Sequence, residues 1–457
     1  MSLKLQEDKN NEFQQNDLGH KEMITYGLGN LGILLAWTMV GSFLLYYYTD
    51  VAGIAAGVVG TLMLLARLFD GVTDIGMGII VDKTKSKHGK ARPWLLWTAV
   101  PLGVATVLLF TVPDISSNGK IVYIYFTYFL FILVYTMTSI SYKTLLGLIT
   151  MDQLKRSTTG VYGAFFNISA QLLVTILTIP IAEAIGGQIG WILTATMFSL
   201  LVATALLTVF RFTKERVGIS IKEQKNNIPL KVGVKALFKN KYWIMITIFC
   251  VVGYTNFGII QSATVFYADY ILGNNSYYSL IALVMTVPGL LILLIIYPFI
   301  KKFGKRNVLF VGTTLIVLGG IIKAINPTDL TFFLVGSFLQ GINTTLFVAT
   351  IYALINDTAE YGLWKSRVRT QGLVNSGASF GMKVGTGVGT ASIGWLLAFG
   401  GYDGSLTIQS DSANQMIIVL NIYLPIILGI LQIILLLFYK LDKEYPQIVA
   451  DLKQRQS

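Results

Sequence analysis

The sequence is poor in charged residues, in cysteine and in histidine. Only 13% of its 457 residues are charged, whereas an ordinary soluble domain has about a quarter, so the composition argues against a soluble enzyme. The single cysteine, Cys250, excludes an intramolecular disulfide bond and a cysteine-based metal centre. The sequence has only two histidines, and it contains no recognisable nucleophile triad, P-loop or dinucleotide-binding motif. We therefore expect a protein that is not an enzyme and that holds no cofactor.

Long apolar segments dominate the sequence instead. Hydrophobic residues make up 54% of the chain, and its mean hydropathy is +0.65. A helix needs about 20 largely apolar residues to cross a bilayer, and twelve segments meet this requirement. They are residues 24–50, 54–81, 94–113, 121–150, 160–186, 190–211, 243–272, 278–300, 308–325, 330–356, 370–400 and 413–440. The sequence predicts an all-α polytopic membrane protein with twelve transmembrane helices.

Lysine and arginine are concentrated in alternate loops between these segments. The loops after the even-numbered segments are basic, whereas the opposite loops hold only Lys120 and, at a helix end, Lys323. Loops rich in lysine and arginine stay in the cytoplasm, so we predict that both termini are cytoplasmic and that the membrane is the inner membrane of a bacterium. Because the net charge of +12 lies mainly in loops, it does not predict binding to nucleic acid.

The predicted helices form two halves of six. A polar, basic connection separates the halves, and the basic turn VDKTKSKHGKARPW after the second segment has a shorter echo, IKKFGKRN, after the eighth. Two six-helix repeats around a central site are typical of major facilitator transporters. We predict a cytoplasmic segment 1–22, a first half 23–211, a linker 212–242, a second half 243–440 and a cytoplasmic tail 441–457.

Three charged residues lie in the second predicted helix. The spacing of Arg67, Asp70 and Asp74 places them on one helical face. A carboxylate at membrane depth is costly, which makes it a functional candidate. One interpretation is a structural ion pair between Arg67 and Asp70. We favour a cation site, because two neighbouring carboxylates can supply oxygen ligands to Na⁺ or share a proton.

A lysine lies in the eleventh predicted helix, beside a ladder of glycines. Gly377, Gly381, Gly385 and Gly389 recur at every fourth residue, which permits close packing against another helix. Lys383 points roughly away from the middle of this ladder, so we expect it to face the interior cavity rather than lipid headgroups. There it would compete with the transported cation for the acids of the other half.

The residues that bind substrate are less clearly marked. Lys143, in the fourth predicted helix, faces either the cavity or the headgroups, because a long lysine can extend to the membrane surface. In the cavity it would favour an anionic substrate group. Tyr26, Tyr142 and Asn167 are candidates for stacking on a sugar and for hydrogen bonds to it, with core packing as the alternative.

A charged cluster follows the tenth predicted helix. Asp357, Glu360 and Arg369 lie there, opposite Lys155 and Arg156 of the first half. A solvated loop is one interpretation. We favour a cytoplasmic gate in which Glu360 and Arg369 form a salt bridge between the halves that opens during transport.

Several segments resemble one known family. YYYTDVAGI, GTLMLLARLFDGVTDIGMGIIVDKTKSKHGKARPW, DTAEYGLWKSRVRTQG and GMKVGTG are similar to the glycoside–pentoside–hexuronide:cation symporters, the melibiose permease family of the major facilitators. The resemblance implies that Asp70 and Asp74 are the paired acids of the cation site, Thr136 a polar neighbour and Lys383 the coupling lysine. Arg67 and Arg369 match charged positions of the family pattern.

The sequence departs from this family where melibiose permease contacts its sugar. An aspartate of the first helix corresponds to Leu34, an aspartate of the fourth to Ser139, a tryptophan nearby to Lys143 and an arginine of the fifth to about Ala164. The resemblance therefore implies retained cation machinery and a substrate other than a simple galactoside. Ser139 and Lys143 remain candidates for substrate binding, and Lys143 makes a uronide or another acidic glycoside worth testing.

These observations together predict a secondary active transporter. We expect it to carry a glycoside or oligosaccharide, a pentoside or a hexuronide together with Na⁺ or H⁺ by alternating access. Its partners are then the sugar and membrane lipids, and it functions as a monomer. The alternatives are the same scaffold carrying a lysolipid, and a membrane sugar sensor that does not transport.

Overall fold

The described chain is helical, without a strand. A computed structural model describes residues 18–150, 152–216, 230–368 and 371–454. Its helices are α1 (His20–Tyr46), α2 (Ala56–Lys83), α3 (Arg92–Leu109), α4 (Ser117–Ile149), α5 (Gln153–Ile185), α6 (Gly187–Phe212), α7 (Leu230–Phe238), α8 (Lys241–Phe266), α9 (Tyr277–Phe303), α10 (Lys305–Ile325), α11 (Leu330–Ser366), α12 (Gln371–Phe399), α13 (Asp411–Ile418), α14 (Leu424–Phe438) and α15 (Leu441–Gln454). Short π-helical turns, Tyr47–Val51, Tyr267–Ile271 and Val419–Tyr423, extend α1 and α8 and join α13 to α14.

The predicted count of twelve spans agrees with the long helices. Within the described ranges, nine helical segments are long and apolar enough to cross a membrane, and a tenth, α9, bends by 66° between Leu293 and Ile295. Pro298 explains this bend, because a proline ring clashes with the carbonyl four residues earlier. The other two long helices, α2 and α12, have 28 and 29 residues. Their charges and glycines lower their mean hydropathy.

Polar side chains mark where several of these helices begin. Asp152 accepts hydrogen bonds from the backbone N–H groups of the first turn of α5, and Asp329 does the same for α11. Asn240 caps α8 through the N–H of Trp243 at 3.0 Å. Such caps satisfy backbone donors that have no partner within the helix. The helices therefore begin at polar residues between apolar segments.

The described chain forms two compact units. The first contains residues 18–40, 72–174 and 181–216, with residue 151 undescribed. In this unit Glu215 accepts hydrogen bonds from the N–H groups of Lys90, Ala91 and Arg92 at 2.8–2.9 Å, which holds the basic turn before α3. Glu22 pairs with Arg216 at 2.7 Å. These two carboxylates fix the end of the unit that carries the basic turn.

The second unit contains residues 41–71 and 175–180 and the described residues from 230 to 454. The glycine ladder of α12 packs against α8, as predicted. A Cβ atom on Gly385 would lie 2.4 Å from the carbonyl oxygen of Val251, and one on Gly389 would lie 2.3 Å from that of Thr255. The backbones of α8 and α12 therefore meet at a distance that only glycine allows.

Replacing Gly389 with alanine is expected to destabilise the second unit. The added Cβ would meet backbone rather than a movable side chain, and such overpacking costs about 1–3 kcal/mol. Gly78→Ala is the matched control, because a Cβ there meets nothing within 4 Å and alanine favours a helix over glycine by up to about 1 kcal/mol. Thermal unfolding of both variants in one detergent should show a lower Tm for Gly389→Ala alone. Equal melting temperatures would contradict the tight contact.

Candidate functional site

The charged residues of α2 face away from its exposed apolar side. The exposed stripe is formed by Leu65, Leu68, Val72, Ile75 and Ile79. Arg67, Asp70 and Asp74 lie on the opposite side of the helix, at 100° per residue. Arg67 is 5% exposed and Asp70 3% exposed, whereas Asp74 is half-buried. The apolar stripe is therefore the surface suited to lipid, and the charges point to the protein interior.

Within the second unit, Asp70 pairs with the predicted lysine of α12. The Nζ atom of Lys383 lies 2.9 Å from Oδ2 of Asp70, and it also donates to the backbone oxygen of Asp70 at 3.4 Å. Gly387 makes this approach possible, because a Cβ there would lie 2.8 Å from Cβ of Arg67. One side of α12 thus packs against α8 through the glycine ladder, and another meets α2 through Lys383 and Gly387.

The exposure of the two side chains indicates which member of this ion pair can be replaced. Lys383 retains about a quarter of its side-chain exposure, while the Asp70 side chain is 5% exposed. Removing one partner from a buried pair costs about 3–5 kcal/mol, because the other charge is left uncompensated. A small cation that takes the place of the ammonium group would compensate the same charge. The geometry therefore allows Lys383 and a cation to exchange at one carboxylate.

In the first unit, the hydroxyl group of Thr136 lies beside α2. Its Oγ1 is 3.3 Å from Oγ1 of Thr73, the residue before Asp74, and the side chain is 1% exposed. Ser139, on the same helix, donates to the backbone oxygen of Thr136 at 3.4 Å. Hydroxyl oxygens suit a hard cation. In the described chain, no group of three or more His, Cys, Asp or Glu residues could hold a metal ion.

Two of the substrate candidates, Tyr26 and Tyr142, hold each other in place. Their rings stack with centroids 4.4 Å apart. Each hydroxyl donates to the backbone oxygen of the other residue, at 3.0 Å from Tyr26 and 2.6 Å from Tyr142. Both are buried, and Gly29 makes room for the ring of Tyr142. Both tyrosines therefore contribute to core packing, which was the alternative to sugar binding. We do not include either tyrosine in the substrate site.

The other candidates keep polar groups available. Lys143 is exposed. Asn167 is half-buried, and among the residues that the structure describes its buried Oδ1 has no hydrogen-bond partner. A carbonyl oxygen in this position can accept a hydrogen bond from a sugar hydroxyl. Asn167 therefore has the better geometry for a substrate contact than either tyrosine.

The predicted gate residues have local partners. Arg156 donates to the backbone oxygens of Thr150 and Gly147 at 2.7 and 3.0 Å. Asp357 pairs with Lys305, and Glu360 accepts a hydrogen bond from Tyr445. Arg369 lies outside the described residues.

Tyr445 remains a hydrogen-bond donor to Glu360. Burial raises the pKa of Tyr445, and its hydrogen bond to the Glu360 carboxylate raises it further. The partners Lys305 and Tyr445 were not predicted, because they are distant in sequence from the residues they contact.

The contact of Gly387 with α2 could have been predicted from the sequence. This glycine breaks the four-residue spacing of the ladder, which indicates a second close contact on α12.

The comparisons with known proteins agree with this architecture. Residues 25–443 match the model of the family described as MFS/sugar transport protein. The chain is 32% identical to an isoprimeverose transporter of Lactiplantibacillus pentosus over 96% of its length and 93% of that protein. It is 30% identical to the inner membrane symporter YicJ of Escherichia coli (strain K12), over 92% and 91%.

A solved structure supports the fold at low sequence identity. The crystal structure of a bacterial homologue of the human lysosomal transporter Spinster, inward-facing and unoccupied, aligns with a TM-score of 0.67 and 10% identity. The alignment covers 94% of this chain and 99% of that one. The family consists of membrane transporters, which confirms that the chain is not an enzyme, and a small sugar is the substrate that the family implies. The chain belongs to the MFS/sugar transport protein family, as a multi-pass membrane transporter.

Proposed function

We propose that this protein is a cation-coupled sugar symporter in which Lys383 and the transported cation alternate at Asp70. The ion pair between Lys383 and Asp70 carries the proposal. A buried carboxylate needs compensation for its charge, and an arriving cation can supply at Asp70 the positive charge that Lys383 takes away when it leaves. Exchange of the partners links cation binding to the positions of α2 and α12.

The cation site of this proposal consists of Asp70 and Asp74 with Thr136 nearby, and Arg67 as a fixed charge. Asp70 and Asp74 are four residues apart on one helix, and Thr136 contacts Thr73. Carboxylate and hydroxyl oxygens suit Na⁺, and two nearby carboxylates also suit a shared proton. Cation binding then raises the affinity for sugar, and linkage requires the sugar to raise the affinity for the cation equally.

The substrate of this proposal is a glycoside, pentoside or hexuronide. The relatives include an isoprimeverose transporter, which supports a small sugar. Asn167 and Ser139 supply polar groups for its hydroxyls, and Lys143 supplies a positive charge for an acidic sugar. The carbonyl oxygen of the half-buried Asn167 side chain favours a sugar over a lysolipid, whose tail needs an apolar surface.

The topology of this proposal follows from the basic loops. Both termini lie in the cytoplasm of a bacterium, and two six-helix halves, 23–211 and 243–440, alternate the access to the site. Arg156, Asp357, Glu360 and Arg369 then lie at the cytoplasmic gate. Asp357 and Glu360 accept contacts from Lys305 and Tyr445 in the same unit, so the gate also involves α10 and α15.

Replacing both acids of the cation site is expected to abolish cation-driven accumulation. In Asp70→Asn,Asp74→Asn the amides cannot supply the negative charge that binds a cation. Uptake of sugar into right-side-out membrane vesicles, with an imposed sodium or proton gradient, should fall by at least tenfold. Asp114→Asn is the control, because the Asp114 side chain is fully exposed and exposed pairs contribute little. Normal accumulation by the double variant would place the cation site elsewhere.

Removing the competing lysine is expected to tighten cation binding and to impair transport. In Lys383→Met the Asp70 carboxylate loses the positive charge of Lys383, so the apparent affinity for Na⁺ or H⁺ should rise at least about tenfold. Release slows, and accumulation falls. Lys323→Met is the matched control, since Lys323 is a buried lysine of the second unit that donates to a neutral group, the side-chain oxygen of Gln340, at 2.7 Å. Calorimetric titration with Na⁺, repeated over a range of pH, measures both variants; weaker cation binding in Lys383→Met would refute competition.

Lys143 is expected to select for acidic sugars. In Lys143→Gln the charge is lost but a polar end group remains, so uptake of hexuronides should fall about tenfold relative to that of neutral glycosides, the magnitude of a hydrogen bond to a charged group. A panel of neutral and acidic glycosides, each with and without sodium at two pH values, measures the ratio. Lys120→Gln, on the same helix, is the control. An unchanged ratio would assign Lys143 to the membrane surface.

A further inference from the structure

The ends of α1 and α8 share an unusual backbone and a similar sequence. Each ends in a five-residue π-helical turn, Tyr47–Val51 and Tyr267–Ile271. Two residues beyond each turn lies a glycine of positive φ, Gly53 at 68° and Gly273 at 71°. The helices are the first of each predicted half, so the motif is repeated. Isolated π-helical turns are rare and occur frequently at functional sites.

The two turns exchange hydrogen bonds between tyrosines and aspartates. The hydroxyl of Tyr46 donates to Oδ2 of Asp269 at 2.7 Å. In return, Tyr270 donates to Oδ1 of Asp50 at 2.5 Å. Tyr402, in the loop after α12, donates to the same oxygen at 2.5 Å. Each carboxylate therefore accepts a hydrogen bond from a tyrosine at the end of the other helix, and all five residues lie in the second unit.

The surrounding contacts fix this arrangement. The rings of Tyr46 and Phe266 pack edge to face at 5.4 Å, and those of Tyr270 and Tyr402 at 5.5 Å. Gly404 presses the loop after α12 onto the first turn, because a Cβ there would lie 2.3 Å from the backbone oxygen of Thr49. The loop that carries Tyr402 is thus held against Asp50 by backbone contact as well as by its hydroxyl.

Tyrosine hydroxyls suit a contact that must break repeatedly. Burial raises the pKa of Tyr402, and the charge of Asp50 raises it further, so this hydroxyl stays a donor. Hydrogen bonds to charged acceptors are stronger than those between neutral groups. A neutral donor, however, is cheaper to desolvate than an ammonium or guanidinium group. When the ends separate, water can hydrate the carboxylates and offset part of the loss.

We propose that Tyr46, Asp50, Asp269, Tyr270 and Tyr402 form a tyrosine–aspartate latch that closes the extracellular end of the transport path in one state and opens in the other. The inference rests on the proposed transport function and topology, which place the ends of α1 and α8 outside. It goes beyond the cation site, because none of the five residues belongs to that site. The latch joins a helix of the first half to a helix and a loop of the second.

Accessibility of a buried position behind the latch tests the proposal. Ser262 is 1% exposed and donates to the backbone oxygen of Gly41, where α1 meets α8. In a Cys250→Ala,Ser262→Cys background, a membrane-impermeant maleimide is applied to right-side-out vesicles without sugar or added sodium. Tyr270→Phe,Tyr402→Phe removes the two tyrosine donors to Asp50 and leaves the hydrogen bond from its neighbour Thr49 in place. The double variant should raise the labelling rate by about tenfold or more, the size expected for hydrogen bonds to a charged group.

Tyr267→Phe is the matched control. It removes a hydroxyl from the same π-helical turn, but this hydroxyl donates to the backbone oxygen of Pro327, within the second half. Its labelling rate should stay at the background value. An unchanged rate in Tyr270→Phe,Tyr402→Phe, or an equal rise in Tyr267→Phe, would overturn the latch.

Two further measurements keep the outcomes distinct. Thermal unfolding of each variant identifies a general loss of stability, and faster labelling of a variant whose Tm equals that of the background supports the latch. If Tyr270→Phe,Tyr402→Phe and Tyr267→Phe show the same lowered Tm and the same faster labelling, a general loss of stability explains the labelling and the latch is refuted. The labelling experiment needs neither sugar nor cation, so it tests the latch alone. The accumulation assay of Asp70→Asn,Asp74→Asn tests the proposed cation site, and the two proposals can therefore fail independently.

Discussion

A charge inside a membrane must be paired, hydrated or neutralised, and the buried carboxylate of Asp70 imposes this constraint on the protein. Its partner is Lys383, on a helix more than 300 residues later in the chain. The pair can form only if α12 approaches α2 closely. Gly387 permits this at Arg67, and Gly394 permits it at Gly60, where a Cβ would lie 2.7 Å from the other glycine's backbone. Gly387 and Gly394 thus lie where α12 must approach α2 for Lys383 to reach Asp70.

The glycines of α12 allow this helix to pack against α8 and also to approach α2. Its ladder against α8 fixes the helix within the second unit, while Gly387 and Lys383 meet α2. A helix held on one side can present a charge at a defined depth on the other. In the proposed exchange of Lys383 for a transported cation, one contact of α12 would change while its backbone contact with α8 persists.

The sequence predicted the long helices, because apolar length is a local property. Helical periodicity, which is also local, predicted that Arg67, Asp70 and Asp74 share one face of α2, but it left the side occupied by Lys143 open. The same periodicity predicted the glycine ladder and the position of Lys383. The partner of Tyr26 lies 116 residues away, and no periodicity in one sequence reveals such a pair. The π-helical turns were also missed. A π-helical turn adds one residue to a helical turn and so shifts the face on which the following residues lie. Tyr46, Tyr47 and Tyr48 are consecutive large residues, so this shift leaves no visible change in the spacing of apolar residues.

The two ends of the helices use different chemistry, and the difference has an energetic reason. In each unit, full charges pair beside a basic turn, as Glu22 does with Arg216 in the first unit and Asp357 with Lys305 in the second. At the other end, Asp50 and Asp269 are satisfied by neutral hydroxyls. A transporter must visit both states within a few kcal/mol, because a more stable closure would leave the other state unpopulated. Partly hydrated ion pairs and neutral donors to carboxylates both provide specific contacts that water can replace.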